Sequence, residues 1–200
     1  MTGRNARGAA ARDAAAGGAD GPRVVTVGHS THPIEEFIGL LRGAGVGRVV
    51  DVRTLRGSRH NPQYDEEELG PSLRAAGIEY EAAPRLGGFR HGSSGVGPAV
   101  NAYWEHASFH RYADYALGED FAAGLEALIA LAADGSRIPA IMCAEAVWWR
   151  CHRRIIADHL IARGVGVEHL MPDGRLVEAS LTPGARVGED GTVTYPPEKG

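Results

Sequence analysis

Short runs of β-branched residues alternate with helix-like stretches along this chain, and the alternation constrains its fold more than any other feature. Strands are predicted at residues 23–28 (RVVTVG), 48–53 (RVVDVR), 78–82, 138–143 (IPAIMC) and 165–171, with a hairpin extension at 175–177. Amphipathic helices are predicted after Pro33, from 65 to 76, near Asn101, around Phe121 to Ala132, and from 152 to 163. This order predicts right-handed crossovers and a three-layer α/β/α fold, with a mainly parallel sheet of about five strands.

The length of the chain bounds the number of domains. A chain of 200 residues can form one well-buried domain but is too short for two of ordinary size. Residues 1–22 are rich in Ala, Gly and Arg without the apolar core of a signal sequence, so they are predicted to be a disordered tail. Residues 23–181 are predicted to form a single α/β domain, and the Pro/Gly-rich residues 182–200 a loose C-terminal tail.

Charge and cysteine content narrow the function classes. The chain has 25 acidic and 21 basic residues, a net charge of -4, which argues against binding nucleic acid over its whole surface. No apolar run approaches the roughly 20 residues that a membrane span requires, so no membrane partner is expected. Two cysteines cannot build a disulfide framework, and together with the missing signal peptide they predict a cytoplasmic protein.

Residues 139–156 (PAIMCAEAVWWRCHRRII) bring together most of the reactive side chains. Cys143 ends a predicted strand, and a helix is predicted to begin eight residues later, at Cys151-His152-Arg153. A cysteine between a strand end and a helix N-terminus, close to arginine, has the surroundings that lower a thiol pKa and bind anions. We therefore predict that Cys143 is reactive, with Glu145 and His152 as acid/base candidates. A buried, inert Cys143 is the alternative.

Other candidates are expected on the same rim, because ligands bind at the carboxyl ends of parallel strands. His29 and Ser30 follow the first predicted strand, and His29 is a candidate general base. Arg53 ends the second strand. The predicted anion-binding residues are Arg53, Arg150, Arg153 and Ser30. Asp51 shares a strand face with Arg53, so an ion pair that only braces the arginine is an alternative role.

Two other functions remain open from the residues alone. Thiolate, carboxylate and imidazole groups bind zinc, so Cys143, Glu145, Cys151 and His152 could form a metal site. The adjacent Trp148 and Trp149, with the arginines around them, could instead stack and hold single-stranded nucleic acid. The glycine-rich loop at 84–98 lacks the Gly-Lys-Ser/Thr ending of a nucleotide P-loop, and the sequence identifies no cofactor.

The chain resembles domain-of-unknown-function family 488, whose YeaO-like members are small bacterial proteins. Four pieces carry the resemblance: VGHST at 27–31, VDVR at 50–53, LGG at 86–88, and MCAE at 142–145 with CHR at 151–153. The resemblance implies a fold and a site but no established reaction. The stretch between Glu145 and Arg150 is more apolar than in relatives, which bears on ligand choice.

A remoter similarity is to rhodanese-like domains, which also place an Asp-x-Arg strand early and a strand, cysteine, loop and helix late. The loop after Cys143 is longer here, so sulfur transfer is an analogy only. The leading hypothesis is an enzyme that acts through Cys143 and an arginine-lined loop on a small anionic substrate, either phosphorylated, nucleotide-like or sulfur-bearing.

Overall fold

A computed structural model describes residues 21–57, 59–90 and 95–197. Its main sheet has six strands in the order β3-β2-β4-β1-β5-β6. These are β1 (Arg23–Gly28), β2 (Val46–Asp51), β3 (Glu79–Ala82), β4 (Ile138–Cys143), β5 (Gly166–Leu170) and β6 (Leu176–Glu178). Strands β1 to β5 are parallel, and β6 is antiparallel to β5, as predicted for the hairpin extension. The predicted α/β/α fold with a mainly parallel sheet is confirmed.

Five α-helices among the described residues cover the sheet. They are α1 (Ile34–Gly43), α2 (Glu66–Ala75), α3 (Ala107–Tyr115), α4 (Glu119–Ala133) and α5 (Arg153–Ala162). Short 3-10 turns lie at Pro62–Tyr64, Pro84–Leu86 and Trp148–Arg150. Within the described part of the chain, the longest helix is the 15-residue α4, and none combines the length and apolarity needed to cross a membrane.

Successive side chains along each strand point to opposite faces of the sheet, and each face carries one hydrophobic cluster. Val25 and Val49 pack with Phe37 of α1 and Leu73 of α2 on one face. Residues next to them in the strands point to the other face, where α3, α4 and α5 contribute Tyr112, Leu125 and Ile155 among others. Strands buried on both faces explain why their sequences are continuous apolar runs rather than alternating ones.

The predicted bounds differ most from the structure at the helix near Asn101 and at the second strand. The helix expected near Asn101 begins at Ala107, after turns, because the His106 ring accepts a hydrogen bond from the Ser108 backbone amide and caps the first turn. Strand β2 ends at Asp51 rather than Arg53, and the chain then leaves the sheet.

The C-terminal segment packs on the domain, which differs from the loose tail expected after residue 181. Val193 and Tyr195 are fully buried, and the two short strands β7 (Arg186–Val187) and β8 (Val193–Thr194) pair with each other. Asp158 of α5 accepts hydrogen bonds from the Thr182 amide at 2.8 Å and the Tyr195 hydroxyl at 2.8 Å. Of the N-terminal tail predicted at 1–22, residues 1–20 lie outside the described residues.

Candidate functional site

The sheet topology places a crevice at the carboxyl ends of β1 and β4. These strands are neighbours, and Gly28 at the end of β1 aligns with Cys143 at the end of β4. Helix α1 follows β1 on one face of the sheet, whereas α5 follows β4 on the other. Ligands bind in open α/β sheets at such a divergence of connections. The crevice therefore lies where the sequence placed its candidate residues.

Backbone hydrogen bonds join the ends of β1 and β4 just beyond the sheet. The amides of His29 and Ser30 donate to the carbonyl oxygens of Cys143 and Ala144, both at 3.0 Å. A Cβ atom at Gly28 would collide with the carbonyl oxygen of Glu145, so only glycine lets the loop at 144–150 cross β1 this closely. The main chain of Ser30 has a positive φ of 48°, which turns the connection towards α1.

The two cysteines form a thiol pair in this crevice. Cys143 ends β4, and Cys151 lies two residues before α5. Both are buried, and their sulfur atoms lie within 4.8 Å of each other. The Arg153 Nε donates to the Cys151 Sγ at 3.3 Å, and its Nη2 donates to the carbonyl oxygen of Glu145. Arg153, which is only 1% exposed, thus holds both Cys151 and the preceding loop.

The His152 ring lies beside this thiol pair with a defined orientation. Its Nε2 is 3.2 Å from the carbonyl oxygen of Val52, which can only accept, so Nε2 carries a proton. Its Nδ1 is 3.6 Å from the Cys151 Sγ and can take the proton of that thiol. A Cβ atom at Gly88 would collide with this edge of the ring, so the residue at 88 must be glycine for His152 to sit here.

Of the two thiols, that of Cys151 loses its proton more readily. Burial disfavours a Cys151 thiolate, but the hydrogen bond with Cys143, the neighbouring His152 ring and the Arg153 charge outweigh it and hold the pKa of Cys151 well below its usual value. The hydrogen bond to Cys151, together with burial, raises the pKa of Cys143 well above its usual value. The sequence hypothesis placed the low pKa at Cys143; the arrangement assigns it to Cys151 instead.

Arg53 lies in a buried polar cluster at the edge of the crevice. Asp51 accepts hydrogen bonds from its Nε and Nη2 groups, and Nη2 also donates to the carbonyl oxygen of Tyr64. The Tyr80 hydroxyl donates to the same carboxylate at 2.9 Å. Burial works against the charge of Arg53, but the Asp51 contacts outweigh it and raise the pKa of Arg53. The alternative role expected from the sequence, bracing by Asp51, is therefore present, and Asp51 and the Tyr64 carbonyl oxygen together occupy three of the five N–H donors of Arg53.

His29 completes this polar cluster. Its Nδ1 donates to the Ser30 carbonyl oxygen at 2.9 Å, which leaves Nε2 to accept from the Arg53 Nη1 at 3.3 Å. The ring stacks on Tyr64 with centroids 3.9 Å apart. Burial lowers the pKa of His29 to about 4. A neutral ring with both nitrogens occupied is a poorer general base than the sequence suggested.

A cleft of about 300 Å³ opens above the thiol pair. Its walls combine polar and apolar side chains. The lining includes Arg53, Thr54, Leu55, Gly88, Phe89, Ser108, Phe109, Cys143, Ala144, Glu145, Arg150, Cys151 and His152. Arg150 and Glu145 are exposed, so both can contact a ligand from solvent. Leu55 and Phe89 are exposed at the mouth, at 76% and 60%.

The loop at 144–150 is held against the sheet by Trp148. Its ring stacks on His169 of β5 with centroids 4.2 Å apart and an interplanar angle of 8°. The His169 Nδ1 in turn hydrogen-bonds the Thr26 hydroxyl of β1 at 2.8 Å. Trp149 is 45% exposed, and its ring meets Trp148 edge to face. One face of the Trp148 ring is therefore covered by His169 and is not open to a nucleic-acid base.

The structure brings together five of the eight predicted site residues on the cleft wall, namely Arg53, Cys143, Glu145, Arg150 and His152. Arg153 and His29 are buried behind them, and Ser30 contributes backbone contacts. The sequence reasoning assigned no role to Gly88, Phe109 or the Val52 carbonyl. Of these three, only Gly88 could have been found from the sequence, because it belongs to the Leu86-Gly87-Gly88 piece of the family resemblance.

One group of side chains in the described residues has the donor set for a metal ion. A sulfur of Cys143, a sulfur of Cys151 and a ring nitrogen of His152 lie within 4.8 Å of one another. Glu145, the fourth ligand considered from the sequence, is not in this group, and its carbonyl oxygen is held by Arg153.

Comparison with known families gives a match over the middle of the chain. The sequence model of the family described as "Domain of unknown function DUF488" matches residues 33–160, more than half of the chain. The matched range includes β2, β4, most of α5 and all residues of the cleft wall, whereas β1 and the C-terminal segment lie outside it. Comparison with curated proteins and with solved structures finds no match.

Proposed function

The chain belongs to the DUF488 family, and we propose that it is an enzyme that acts on a small anionic substrate in the cleft above Cys143 and Cys151. The substrate is phosphorylated, nucleotide-like or sulfur-bearing. One observation carries the proposal. A paired thiol and imidazole group lies at the floor of the same cleft in which an exposed arginine, Arg150, reaches solvent. Perturbed, hydrogen-bonded reactive groups in a cleft are typical of catalytic sites.

Each arginine has a different role in this proposal. Arg150 binds the anionic group, because it is exposed and lines the cleft. Arg53 faces the cleft but is paired with Asp51, which offsets its charge and leaves it little further hydrogen bonding to offer. Arg153 positions Cys151 rather than the substrate.

The remaining polar groups provide the chemistry. Glu145 is exposed in the cleft and is the acid/base candidate nearest to solvent. His152 can take up the proton of the Cys151 thiol across the 3.6 Å contact, which leaves that sulfur as a thiolate. Both cysteines are free thiols, which supports the cytoplasmic location that we propose. The alternative of a nucleic-acid-binding module has less support, because Trp148 is stacked on His169 and the net charge is -4.

Anion binding tests the proposal directly. Inorganic phosphate and sulfate are titrated calorimetrically into protein stripped of metal by a chelator. Arg150→Ala is expected to weaken anion affinity by roughly 10–100-fold, the loss of one charge-assisted hydrogen bond. Arg175→Ala, which removes an arginine paired with Asp173 at the β5–β6 turn, is the matched control and should leave affinity unchanged.

A turnover screen completes the test. Phosphomonoesters, nucleotides and thiosulfonates are offered as substrates, and any turnover should be lost in Cys151→Ser. Equal anion affinity in wild type and Arg150→Ala, or turnover that persists without Cys151, contradicts the proposal.

A further inference from the structure

We infer that Cys143, Cys151 and His152 bind one divalent zinc-class cation, whose fourth coordination position faces the cleft. This inference deepens the proposed function, since it names the cofactor of the same cleft and rests on that cleft being the catalytic site. The cation would be held by the two thiolates and by the Nδ1 of the imidazole ring.

The separation of the ligand atoms fits a zinc ion. Zinc–sulfur bonds of about 2.3 Å and zinc–nitrogen bonds of about 2.0–2.1 Å at a tetrahedral angle put sulfur and nitrogen roughly 3.6 Å apart. The Cys151 Sγ and His152 Nδ1 are 3.6 Å apart. All three ligand atoms lie within 4.8 Å of one another, so small side-chain movements suffice to close the site.

The His152 ring is already oriented as a ligand. A histidine that binds a metal through one nitrogen usually donates its other N–H to a carbonyl or carboxylate oxygen. Here the Nε2 group donates to the Val52 carbonyl oxygen at 3.2 Å, which leaves the Nδ1 lone pair towards Cys151. Two neighbours restrict the His152 ring further. Gly88 lies against one edge of it, and the Tyr112 ring packs edge-on with its centroid 4.9 Å from that of His152.

The charge balance connects this cation with an anionic substrate. Two thiolates neutralise a divalent cation, and Arg153 remains as a buried positive charge with its Nε on the Cys151 sulfur. Such a hydrogen bond to a ligating sulfur belongs to the outer shell that orients metal ligands. The floor of the cleft would then be net positive, which suits a phosphate or sulfur oxyanion that also contacts Arg150.

Access to the cation distinguishes this site from a structural one. Structural zinc sites have four protein ligands, whereas catalytic sites have three and leave one position open. The group found among the described residues has three members, and all three line the cleft. A water molecule or a substrate oxygen can therefore occupy the fourth position from the cleft.

Metal titration of the full chain tests the inference. Reduced, chelator-stripped protein is titrated anaerobically with Zn²⁺ against a chromogenic chelator, and with Co²⁺ to follow thiolate-to-cobalt charge-transfer absorption. One equivalent should bind, and X-ray absorption of the zinc form should show two sulfur ligands. Cys143→Ser, Cys151→Ser and His152→Gln should each weaken affinity by more than the about 10–100-fold typical of outer-shell changes.

Two variants keep the thiols and guard against misfolding of the cysteine variants. Gly88→Ala displaces the His152 ring and should weaken zinc affinity with both cysteines present. His110→Gln, on the outer part of α3 beside Asp114, is the control and should bind zinc as wild type does.

The inference is overturned if the folded protein binds no stoichiometric metal, or if the bound metal has no sulfur ligands. It is also overturned if His152→Gln and Gly88→Ala both bind as tightly as wild type, which would indicate adventitious binding by the thiols. The proposed function fails separately, through Arg150-independent anion binding in the metal-free protein. Anion binding that depends on Arg150, without any metal affinity, would reject only the cation.

Discussion

At the scale of single residues, two glycines permit the close approaches on which the cleft depends. Gly28 lets the carbonyl oxygen of Glu145 pass over the end of β1, and Gly88 lets the His152 ring lie beside the thiols. Neither glycine has a positive φ, so backbone conformation alone does not require it. Glycine is required at both positions because a Cβ atom would collide with residues distant in sequence.

Gly28→Ala should therefore destabilise the protein, because the added methyl group must displace the loop at 144–150. We expect a loss of about 1–3 kcal/mol in the free energy of unfolding, the range typical of overpacking. Urea denaturation measures it. The control is Gly39→Ala in α1, where a Cβ atom has no neighbour within 4 Å and alanine favours the helix. Equal stability of the two variants would contradict this account of Gly28.

The two buried arginines differ from Arg150 in that their donors already have partners within the protein. Arg53 and Arg153 were both predicted to bind an anion, and arginine is the usual residue for that role. In the structure Arg53 is held by Asp51 and Arg153 by Cys151 and a carbonyl oxygen. Only Arg150 combines exposure with a place on the cleft wall, so the anion-binding proposal depends on that residue.

At the scale of elements, an aromatic contact helps to position the loop between β4 and α5, in addition to the hydrogen bonds to its Ala144 and Glu145 carbonyl oxygens. Trp148 lies in the 3-10 turn Trp148–Arg150 and stacks on His169, which is anchored to Thr26 of β1. Since Arg150 and Cys151 follow directly, their positions depend on this stack. The adjacent tryptophans thus divide into one that packs inward and one, Trp149, that is largely exposed.

Trp148→Ala should loosen the loop without dismantling the sheet. We expect faster amide hydrogen exchange at 144–150, faster modification of Cys151 by a thiol reagent, and a stability loss of about 3 kcal/mol from the lost burial. Trp149→Ala is the matched control, and its effect should stay within about 0.5 kcal/mol because the side chain is exposed. If both variants exchange alike, Trp148 is not the anchor.

At the scale of the whole molecule, buried neutral histidines make stability depend on pH. Burial lowers the pKa of His159 and of His169 to about 4, with the charges of Arg163 and Arg153 adding to the effect. The unfolded chain takes up these protons near the usual pKa of about 6.5, whereas the folded protein resists until about pH 4. The contribution of these two histidines to stability should therefore be constant above about pH 7, and it should fall as the pH drops from about 6.5 to 4.

His159→Leu should reduce this acid sensitivity. The His159 Nε2 has no hydrogen-bond partner among the described residues, so the substitution removes a titrating group without breaking a polar contact there. Each buried histidine contributes up to about 1.4 kcal/mol per pH unit to the slope. Urea denaturation at several pH values between 4 and 8 should show a shallower slope for the variant. Parallel curves for variant and wild type would rule out His159 as a contributor.

The C-terminal segment acts on the whole domain. Tyr195 and Thr182 both bond to Asp158 in the middle of α5, the helix that begins beside Cys151 and His152. This segment lies outside the family match at 33–160, yet it covers the helix that carries the site. Its polar, Pro/Gly-rich composition gave no indication of this packing, because three buried side chains, Thr182, Val193 and Tyr195, provide it.

The sequence by itself determined the order of strands and helices, the parallel sheet and the rim on which the candidate residues meet. These follow from local patterns, since valine-rich runs, amphipathic spacing and crossover handedness depend on neighbours along the chain. Tertiary structure decided which side chains are free to act. The low pKa belongs to Cys151, Arg53 and Arg153 are occupied, and His152 is oriented by the Val52 carbonyl oxygen, because partners far apart in sequence set each of these properties.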